Sequence, residues 1–389
     1  ALDRMIRWPE GLDPAGFLHE YWQKKPLFIR GGLAGFRSPL DPDELAGLAC
    51  ESQVESRLVI ERGEPAWQLE HGPFDPDRLA RLDDTGWSLL VQDIEKHVPP
   101  IGALREPFRF VPDWRLDDLM ASFAPPGGSV GPHVDAYDVF LVQGLGRRRW
   151  LVDAAPASLR RLPGTPLGLL ADFRPKQEWI AEPGDVLYLP PGAAHHGVAL
   201  DACVTWSVGF RSPTVSDLLA ALADTPAARE TRYADPDLVA EEVAGGLIGE
   251  RAVARFRRLL EDSATHLPGL LENTLGRLLT EPKSWLQPPV PDPPPRAPDV
   301  HDHLARGGTL ARHPMALLAR TPAECGWLFF ANGRAYPASP VLEPVVTALC
   351  TTDTWPPDAV AEWLELPGGT ALVLDLLAEG ALEIVEKEP

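Results

Sequence analysis

The chain has 389 residues, 44% of them hydrophobic, and a formal net charge of -20 at pH 7. This length predicts two or three domains, because one domain usually contains about 100 to 200 residues. The negative charge argues against general binding to nucleic acid phosphates or anionic membranes, and it favours a cationic partner such as a basic protein segment.

Two further features lead us to expect a soluble cytoplasmic protein. The sequence has no apolar run of about 18 residues or more, and its first residues lack the basic and then apolar layout of a signal peptide. The cysteines are widely spaced without a C-x-x-C pair, which predicts buried free thiols rather than disulfides or a zinc site. They are Cys50, Cys203, Cys325 and Cys350.

Short helical and strand patterns alternate in the first 120 residues. Residues 13 to 26 and 41 to 52 each have helical apolar spacing after an aspartate and a proline. From about 117 to 211 the pattern changes to short β-rich runs divided by glycine and proline. Closely spaced short strands of this kind predict a sandwich or a barrel.

Beyond Pro213 the pattern becomes helical, with apolar residues at helical spacing in 216 to 224 and 252 to 279. Helices of this length can pair with a second copy of the chain, so we expect a helical dimerisation region over 213–286 and a homodimer. The proline-rich stretch that follows predicts an extended linker over 287–300.

Residues 301–389 predict a winged-helix-like domain. A hairpin is expected around Asn332 and Gly333, followed by three short helices and a final strand. Winged helices often bind DNA, but residues 340 to 389 contain one basic residue, Lys387, and ten acidic ones. We therefore expect no direct DNA binding and interpret this module as an acidic structural or protein-binding cap.

The stretch EPGDVLYLPPGAAHHGVAL, residues 182 to 200, carries the first chemical motif. A turn at Gly184, a strand, a second turn ending at Gly192 and then His195 form the pattern G-x5-P-x-G-x2-H. This pattern resembles the second sequence motif of the cupins, which hold a metal inside a small double-stranded β-helix. Tight turns on both sides of a strand fix its entry into the barrel, so one imidazole can be aimed inward.

A second motif precedes it, in which His133 and Asp135 stand two residues apart. On a strand such residues face the same side of the sheet. Together with His195 they can occupy one face of an octahedral metal and leave three positions open, as in non-haem Fe(II) oxygenases. We therefore predict His133, Asp135 and His195 as metal ligands.

Other assignments of these residues fit the sequence less well than this triad. An H-x-D pair by itself is usually a polar surface or a strand-end hydrogen bond. A four-ligand cupin site would need H-x-H and a nearby glutamate, but the second position is Asp135 and no glutamate follows before Gly146. His196 competes with His195, but adjacent strand residues face opposite sides and the turn spacing favours His195. The remaining histidines lie outside these strands, and the HDH sequence at 301 to 303 is expected to be solvated, because it follows the proline-rich stretch and has no third partner in its segment.

Three arginines follow the H-x-D motif in the run GRRRWLVD. They could form an exposed basic patch. On a strand, however, Arg148 shares a face with Trp150, whereas Arg147 and Arg149 share the other. An inward Arg148 would be a buried guanidinium that needs an anionic partner, and a dicarboxylate cosubstrate supplies one.

The segment DDLMASFAPPGGSVGPHVDAYDVFLVQGLGRRRWLVD, with PGDVLYLPPGAAHHG and WSVGFRSP after it, resembles the JmjC-type ribosomal oxygenases. Within that family it is most similar to the bacterial branch that hydroxylates an arginine of large-subunit ribosomal protein sixteen. The resemblance is dense over roughly residues 8 to 220, whereas the C-terminal third matches mainly in layout. One departure is His196, at a position that is commonly acidic in relatives.

The resemblance implies an α+β fold, with a double-stranded β-helix (cupin/JmjC jelly-roll) catalytic domain over 1–212 followed by the helical region and the winged helix. It also implies Fe(II), 2-oxoglutarate as cosubstrate and O2, and hydroxylation of the β-carbon (C3) of an arginine in a basic ribosomal protein. Arg148 would bind the distal carboxylate of 2-oxoglutarate, Ser122 and Met120 would line its pocket, and Tyr137 would line the substrate arginine pocket.

Three other functions remain open at this point. The substrate could be a histidine of another ribosomal protein, or it could be RNA, which the net charge disfavours. A metal-binding cupin regulator without enzymatic activity is a further possibility, which the acidic C-terminus and the three open metal positions count against.

Overall fold

The computed structural model of the protein describes residues 5–61, 67–225, 232–238, 248–265 and 269–386. The chain divides into two compact units, Ala1–Ser212 and Pro213–Pro389. Within the described residues, no helix is long and apolar enough to cross a membrane. None of the four cysteines, which all lie in described ranges, forms a disulfide. Cys203 is buried as predicted, but Cys50 and Cys350 are only half-buried and Cys325 is exposed.

Short capped helices begin the first unit. The carboxylate of Asp13 accepts a hydrogen bond from the backbone N–H of Gly16 at 2.7 Å and starts the helix Pro14–Glu20. This helix ends before residue 26, its predicted limit, because Gln23 adopts a left-handed conformation with φ 57°. A reciprocal capping box between Asp41 and Glu44 starts the second helix, Pro42–Ala49.

In the part of the first unit that the structure describes, twelve strands form the body, separated by turns and by the short helices Pro76–Ala80 and Ile94–His97. In chain order they are β1 Leu27–Ile29, β2 Ser56–Glu61, β3 Trp67–His71, β4 Trp87–Val91, β5 Leu116–Ala124, β6 His133–Val134, β7 Val139–Leu145, β8 Arg148–Asp153, β9 Gln177–Ala181, β10 Val186–Leu189, β11 Ala194–Ala199 and β12 Cys203–Phe210.

These strands form two antiparallel sheets. The larger has the order β1-β10-β7-β12-β5-β4-β2-β3 and the smaller has the order β6-β11-β8-β9. Together they make the double-stranded β-helix that the sequence predicts. Apolar side chains fill the space between them: Val139, Leu141, Trp150, Val152, Ala181, Leu187 and Leu189.

The larger sheet is buried on both faces, which explains why its strands are nearly continuous apolar runs. Alternate residues of β7 and β12, such as Phe140 and Trp206, pack on the outer side against the N-terminal elements, including Phe17. The intervening residues of the same strands point between the two sheets. Strand parity therefore separates a structural core from the interior of the barrel.

The second unit begins with helices and ends in the winged helix. Its helices are Val215–Ala223, Glu250–Thr265, Leu270–Thr280, Ala297–Ala305, Glu343–Thr351, Pro357–Glu365 and Gly369–Ala378. Its strands are Thr309–Arg312, Leu318–Ala323, Gly326–Ala331, Arg334–Ala338, Thr354–Trp355 and Leu382–Val385. Part of the predicted helix over 252–279, at 266–268, lies outside the described residues, and so do Lys387 and parts of 213–286.

Two expectations for this unit need correction. The helix Ala297–Ala305 begins inside the stretch predicted as linker, so 287–300 is not extended throughout. In the HDH sequence His303 is 3% exposed, and its Nε2 lies 3.1 Å from the carbonyl oxygen of Thr309. It is buried because it faces inward on that helix, so the expectation that this pair is solvated was wrong for His303.

Candidate metal centre

The structure brings His133, Asp135 and His195 together, and one ligand atom of each lies within 4.8 Å of the other two. The Nε2 atoms of His133 and His195 lie 3.9 and 3.6 Å from the two carboxylate oxygens of Asp135. The two imidazole rings have centroids 4.2 Å apart. Among the described residues this is the one group of three or more such side chains with the spacing of a metal site.

Backbone carbonyls two residues upstream orient both imidazoles. The Nδ1 atom of His133 lies 2.9 Å from the carbonyl oxygen of Gly131, and Nδ1 of His195 lies 3.0 Å from that of Ala193. A carbonyl can only accept, so each Nδ1 carries the proton and each Nε2 presents its lone pair to the third ligand. This is the tautomer that a histidine needs to bind a metal through Nε2.

Asp135 reaches the site from a loop rather than from a strand. Strand β6 contains only His133 and Val134, so the expected regular strand through residue 135 is not formed. The backbone N–H of Gly192 donates to the carbonyl oxygen of Asp135 at 2.8 Å and ties this loop to the turn before His195. The two predicted motifs therefore meet through a direct hydrogen bond.

The buried carboxylate of Asp138 fixes the far end of the loop. It accepts hydrogen bonds from Gln23 Nε2 at 3.0 Å, from Arg115 Nη2 at 3.1 Å and from Tyr188 Oη at 2.7 Å. Because these donors come from distant parts of the chain, they hold the loop against several elements at once. The position of Asp135 is thus set from both sides.

Burial keeps His195 neutral. The side chain is 3% exposed, and burial, followed by the nearby His133, lowers the pKa of His195 to about 4. A neutral imidazole at pH 7 has no proton to lose from Nε2 before it binds a cation. Two neutral imidazoles and one carboxylate are a donor set suited to a divalent transition metal such as iron.

His196 lies beside this cluster but outside it. Its Nε2 is 2.9 Å from Ser129 Oγ, and its ring contacts that of Phe173 at 6.2 Å between centroids. Burial, followed by the charge interaction with His133, lowers the pKa of His196 to about 4. The side chain is half-buried against the glycine-rich loop, on the opposite face of β11 from His195.

Replacement of His196 by alanine is expected to leave most of the activity. The substitution removes one hydrogen bond to Ser129, so we expect kcat/KM to fall by no more than about fivefold. Metal titration and succinate release, measured side by side, check this. A loss as large as that of His133→Ala would show that the ligand set has been assigned to the wrong histidine.

The three arginines after the metal loop divide as strand parity predicts. Arg147 and Arg149 are exposed and form ion pairs with Asp201 and Glu178 at 2.9 and 2.7 Å. Arg148 is 5% exposed and points between the two sheets. The run is therefore not a single basic patch.

The guanidinium of Arg148 has few partners inside the barrel. Its Nη1 donates to Ser122 Oγ at 3.1 Å, and its Cζ lies 5.6 Å from the ring centroid of Trp150. Nε and Nη2 are buried and have no hydrogen-bond partner among the described residues. A buried guanidinium with unsatisfied donors is costly unless an anion binds there.

Trp150 lies between this guanidinium and the metal cluster. Its ring centroid is 6.1 Å from that of His195. The ring lies flat against Gly197, where a Cβ atom would come within 2.6 Å of it. Glycine at this position therefore gives the indole its place beside the site.

Strand β5 lines the same interior. Ser122 and Met120 lie two residues apart on it, and Asp118 continues the line toward the metal loop. Tyr137 is 42% exposed. Partial burial, followed by the charges of Asp135 and Asp118, raises the pKa of the Tyr137 phenol. Asp118 was not predicted from the sequence, although its even spacing from Met120 and Ser122 indicates that the three side chains share one face of β5.

Comparison with known proteins places this geometry in a family. A model of the JmjC domain matches residues 103–218, and a model of the ROXA-like winged helix matches residues 258–383. The chain is 36% identical over 380 residues to the ribosomal protein uL16 3-hydroxylase of Escherichia coli, covering 96% of this chain and 97% of that protein. It is 37% identical over 270 residues to a probable ribosomal oxygenase of Haemophilus influenzae, covering 69% of this chain and 65% of that protein.

Solved structures agree with these matches. The ribosomal oxygenase YcfD of Escherichia coli, determined in complex with cobalt and 2-oxoglutarate, superposes with a TM-score of 0.83 at 34% identity. The match covers 98% of this chain and 99% of that one. The predicted jelly-roll and winged-helix architecture is confirmed, and the chain belongs to the JmjC ribosomal oxygenases.

Proposed function

We propose that the protein is an Fe(II)- and 2-oxoglutarate-dependent oxygenase that hydroxylates the β-carbon (C3) of an arginine in large-subunit ribosomal protein sixteen. The observation that carries this proposal is Arg148, a buried guanidinium with unsatisfied donors inside the same barrel as a histidine-aspartate-histidine cluster. A dianionic cosubstrate that spans the two sites satisfies both. The similarity to a uL16 3-hydroxylase supports the choice of substrate.

Each residue has a defined task in this mechanism. His133, Asp135 and His195 would hold the metal. Arg148 and Ser122 would bind the distal carboxylate of 2-oxoglutarate. When bound, iron together with 2-oxoglutarate and O2 supplies the oxidising chemistry, and the protein contributes orientation and the exclusion of water.

The substrate arginine would lie at the open end of the barrel. Asp118 offers a carboxylate there, and Gly209 makes room for it, since a Cβ atom at 209 would come within 2.8 Å of Asp118 Oδ1. Tyr137 presents an aromatic face on which a guanidinium can stack, and Met120 continues the wall toward Ser122. The net charge of -20 favours approach of a very basic protein.

Replacement of Asp118 by asparagine is expected to raise KM for an arginine-containing peptide by about tenfold to a hundredfold, because a charged hydrogen bond to the guanidinium is lost. KM for 2-oxoglutarate should stay nearly unchanged. Steady-state kinetics with each substrate varied in turn provide the measurement.

Asp117→Asn is the matched control, because Asp117 is the neighbouring carboxylate on β5, faces the other side and pairs with Arg211 at 3.4 Å. Equal effects of the two substitutions on peptide KM would argue against a substrate contact at Asp118.

The domain limits, the assembly and the location are also part of the proposal. We place the catalytic domain at 1–212, the dimerisation region at 213–286 and the winged-helix-like domain at 301–389, joined by the proline-rich stretch 287–300, in which the helix Ala297–Ala305 already begins. Exposed apolar side chains on the helices Val215–Ala223 and Glu250–Thr265 support a homodimer, among them Val215, which is 73% exposed, and Leu260, which is 70% exposed. A ribosomal substrate fits a cytoplasmic location.

Anaerobic titration with Fe(II) and 2-oxoglutarate, followed by turnover on candidate ribosomal peptides, tests the function. Gain of one oxygen atom, located by fragmentation to an arginine, is the expected result. Oxygen on a histidine would redirect the assignment to another ribosomal substrate. Absence of succinate with every basic protein tested would contradict an oxygenase and favour a metal-binding regulator.

A further inference from the structure

Two buried polar residues, Gln143 and Thr205, lie in the barrel interior close to Arg148. Each is 1% exposed. Gln143 continues the inward-facing line of Val139 and Leu141 on β7, so apolar side chains would satisfy the local packing. Polar side chains in such a place are costly unless they are fully hydrogen-bonded, which makes their partners informative.

The Gln143 amide is satisfied by three contacts. Its Nε2 donates to the carbonyl oxygens of Leu145 at 2.7 Å and Gly146 at 3.2 Å. Because that nitrogen faces two acceptors, the other amide atom is the oxygen, and it accepts a hydrogen bond from Thr205 Oγ1 at 2.9 Å. The Thr205 hydroxyl therefore fixes which way the amide is turned.

These contacts hold the turn that delivers Arg148. The turn connects β7 to β8, and its two carbonyls bound by Gln143 belong to Leu145 and Gly146, the latter only two residues before Arg148. Gly146 has φ +60°, and a Cβ atom there would come within 2.2 Å of the carbonyl oxygen of Ala202. The turn therefore packs closely against the backbone at Ala202. On the side that faces the barrel interior, two of its carbonyls are bound by the single side-chain amide of Gln143.

Gln143 and Thr205 are also connected to the guanidinium of Arg148 itself, through Ser122 and Cys203. Ser122, which accepts from Arg148 Nη1 at 3.1 Å, lies directly opposite Thr205 in the pairing of β5 with β12. Its hydroxyl lies 3.5 Å from the Thr205 carbonyl oxygen. The thiol of Cys203 lies near both Gln143 and Arg148, although burial still raises the pKa of this cysteine. Contacts therefore run from the turn through Gln143, Thr205 and Ser122 back to Arg148.

We propose that Gln143 and Thr205 are positioning residues for the cosubstrate anchor: they hold the turn and Ser122 so that the Arg148 guanidinium meets the distal carboxylate of 2-oxoglutarate. This inference rests on the proposed function and deepens it. The pair does not touch the metal ligands, so it should govern affinity for the dicarboxylate and leave affinity for the metal unchanged.

The test replaces Thr205 by valine, which keeps the shape and removes the donor to Gln143. We expect the Kd of 2-oxoglutarate, measured by calorimetry with the Mn(II)-loaded protein, to rise about tenfold. The Kd of Mn(II) should change by less than about twofold, and kcat at saturating 2-oxoglutarate should stay near the wild-type value. Thr205→Ser, which restores the hydroxyl, should recover most of the affinity.

Ser38→Ala is the matched control. It removes a partly buried hydrogen bond to strand β12, the one from Trp206 Nε1 to Ser38 Oγ at 3.0 Å, on the outer face of the same sheet. If Thr205→Val and Ser38→Ala raise the Kd of 2-oxoglutarate equally, Thr205 acts only through general stability and the proposal fails.

If Thr205→Val does not fold, Gln143→Met answers the same question, since it removes all three contacts of the amide at similar volume. Unchanged affinity for 2-oxoglutarate in a folded Gln143→Met variant would also overturn the proposal. Wild-type protein that binds no 2-oxoglutarate would instead refute the proposed function itself, so the two failures can be told apart.

Discussion

Replacement of Asp135 by alanine is expected to abolish metal binding and turnover, with activity at least about a thousandfold below wild type. The cluster contains two imidazoles and one carboxylate, and this carboxylate lies 3.9 and 3.6 Å from the two Nε2 atoms. Without it the cation would meet only two neutral nitrogens, with no negative charge to offset its own. His133→Ala should have a similar effect, because it also removes a direct ligand.

The measurement is Fe(II) or Mn(II) affinity by calorimetry, with succinate release as a second readout. Asp135→Asn separates charge from shape, because it keeps the side-chain volume and should lose nearly as much affinity. His196→Ala serves as the control on the neighbouring position. Should Asp135→Ala bind metal as tightly as His196→Ala does, the carboxylate is not a ligand.

Removal of the Arg148 side chain is the second change with a large expected effect. Arg148→Ala should weaken binding of 2-oxoglutarate by about 3 to 5 kcal/mol, because a buried anionic group would lose its charged partner. That corresponds to a Kd about two to three and a half powers of ten higher. Metal affinity without cosubstrate should remain close to wild type, since the guanidinium is not a ligand.

Arg149→Ala controls for the loss of a positive charge on the same strand. Its guanidinium is exposed and pairs with Glu178, so its removal should leave the Kd of 2-oxoglutarate nearly unchanged. Arg148→Lys should recover part of the affinity, because an ammonium supplies the charge without the paired donors of a guanidinium. An Arg148→Ala protein with an unaltered requirement for 2-oxoglutarate would refute the role given to this residue.

Sequence patterns predicted most of the barrel because its strands alternate between two environments. The alternation of side chains along a strand predicted that Arg148 points into the barrel and that Arg147 and Arg149 are exposed. The ion pairs of Arg147 and Arg149 at the surface agree with this prediction. Turn spacing selected His195 from two adjacent histidines, and only His195 enters the cluster. The placement of these side chains follows from sequence spacing because a strand fixes the direction in which each side chain points.

Predictions were weaker where the direction of a side chain depends on contacts between residues that are distant in the sequence. Asp135 leaves the strand and is held by Gly192, which follows it by more than fifty residues. Asp118 lies before the motif, so its place near Tyr137 depends on how β5 joins the sheet. His303 is buried by the fold of the second unit, which the local HDH sequence does not reveal.

Backbone carbonyls of the chain itself orient the two imidazoles of the predicted metal site. Each Nδ1 is held by the carbonyl of a residue only two positions earlier, at Gly131 and Ala193, so both contacts are local in the chain. We expect metal loading to be a binding event rather than a step of folding, in contrast to small zinc domains that unfold without metal. We therefore expect a molecule that has lost its iron to regain activity when Fe(II) and a reductant are added.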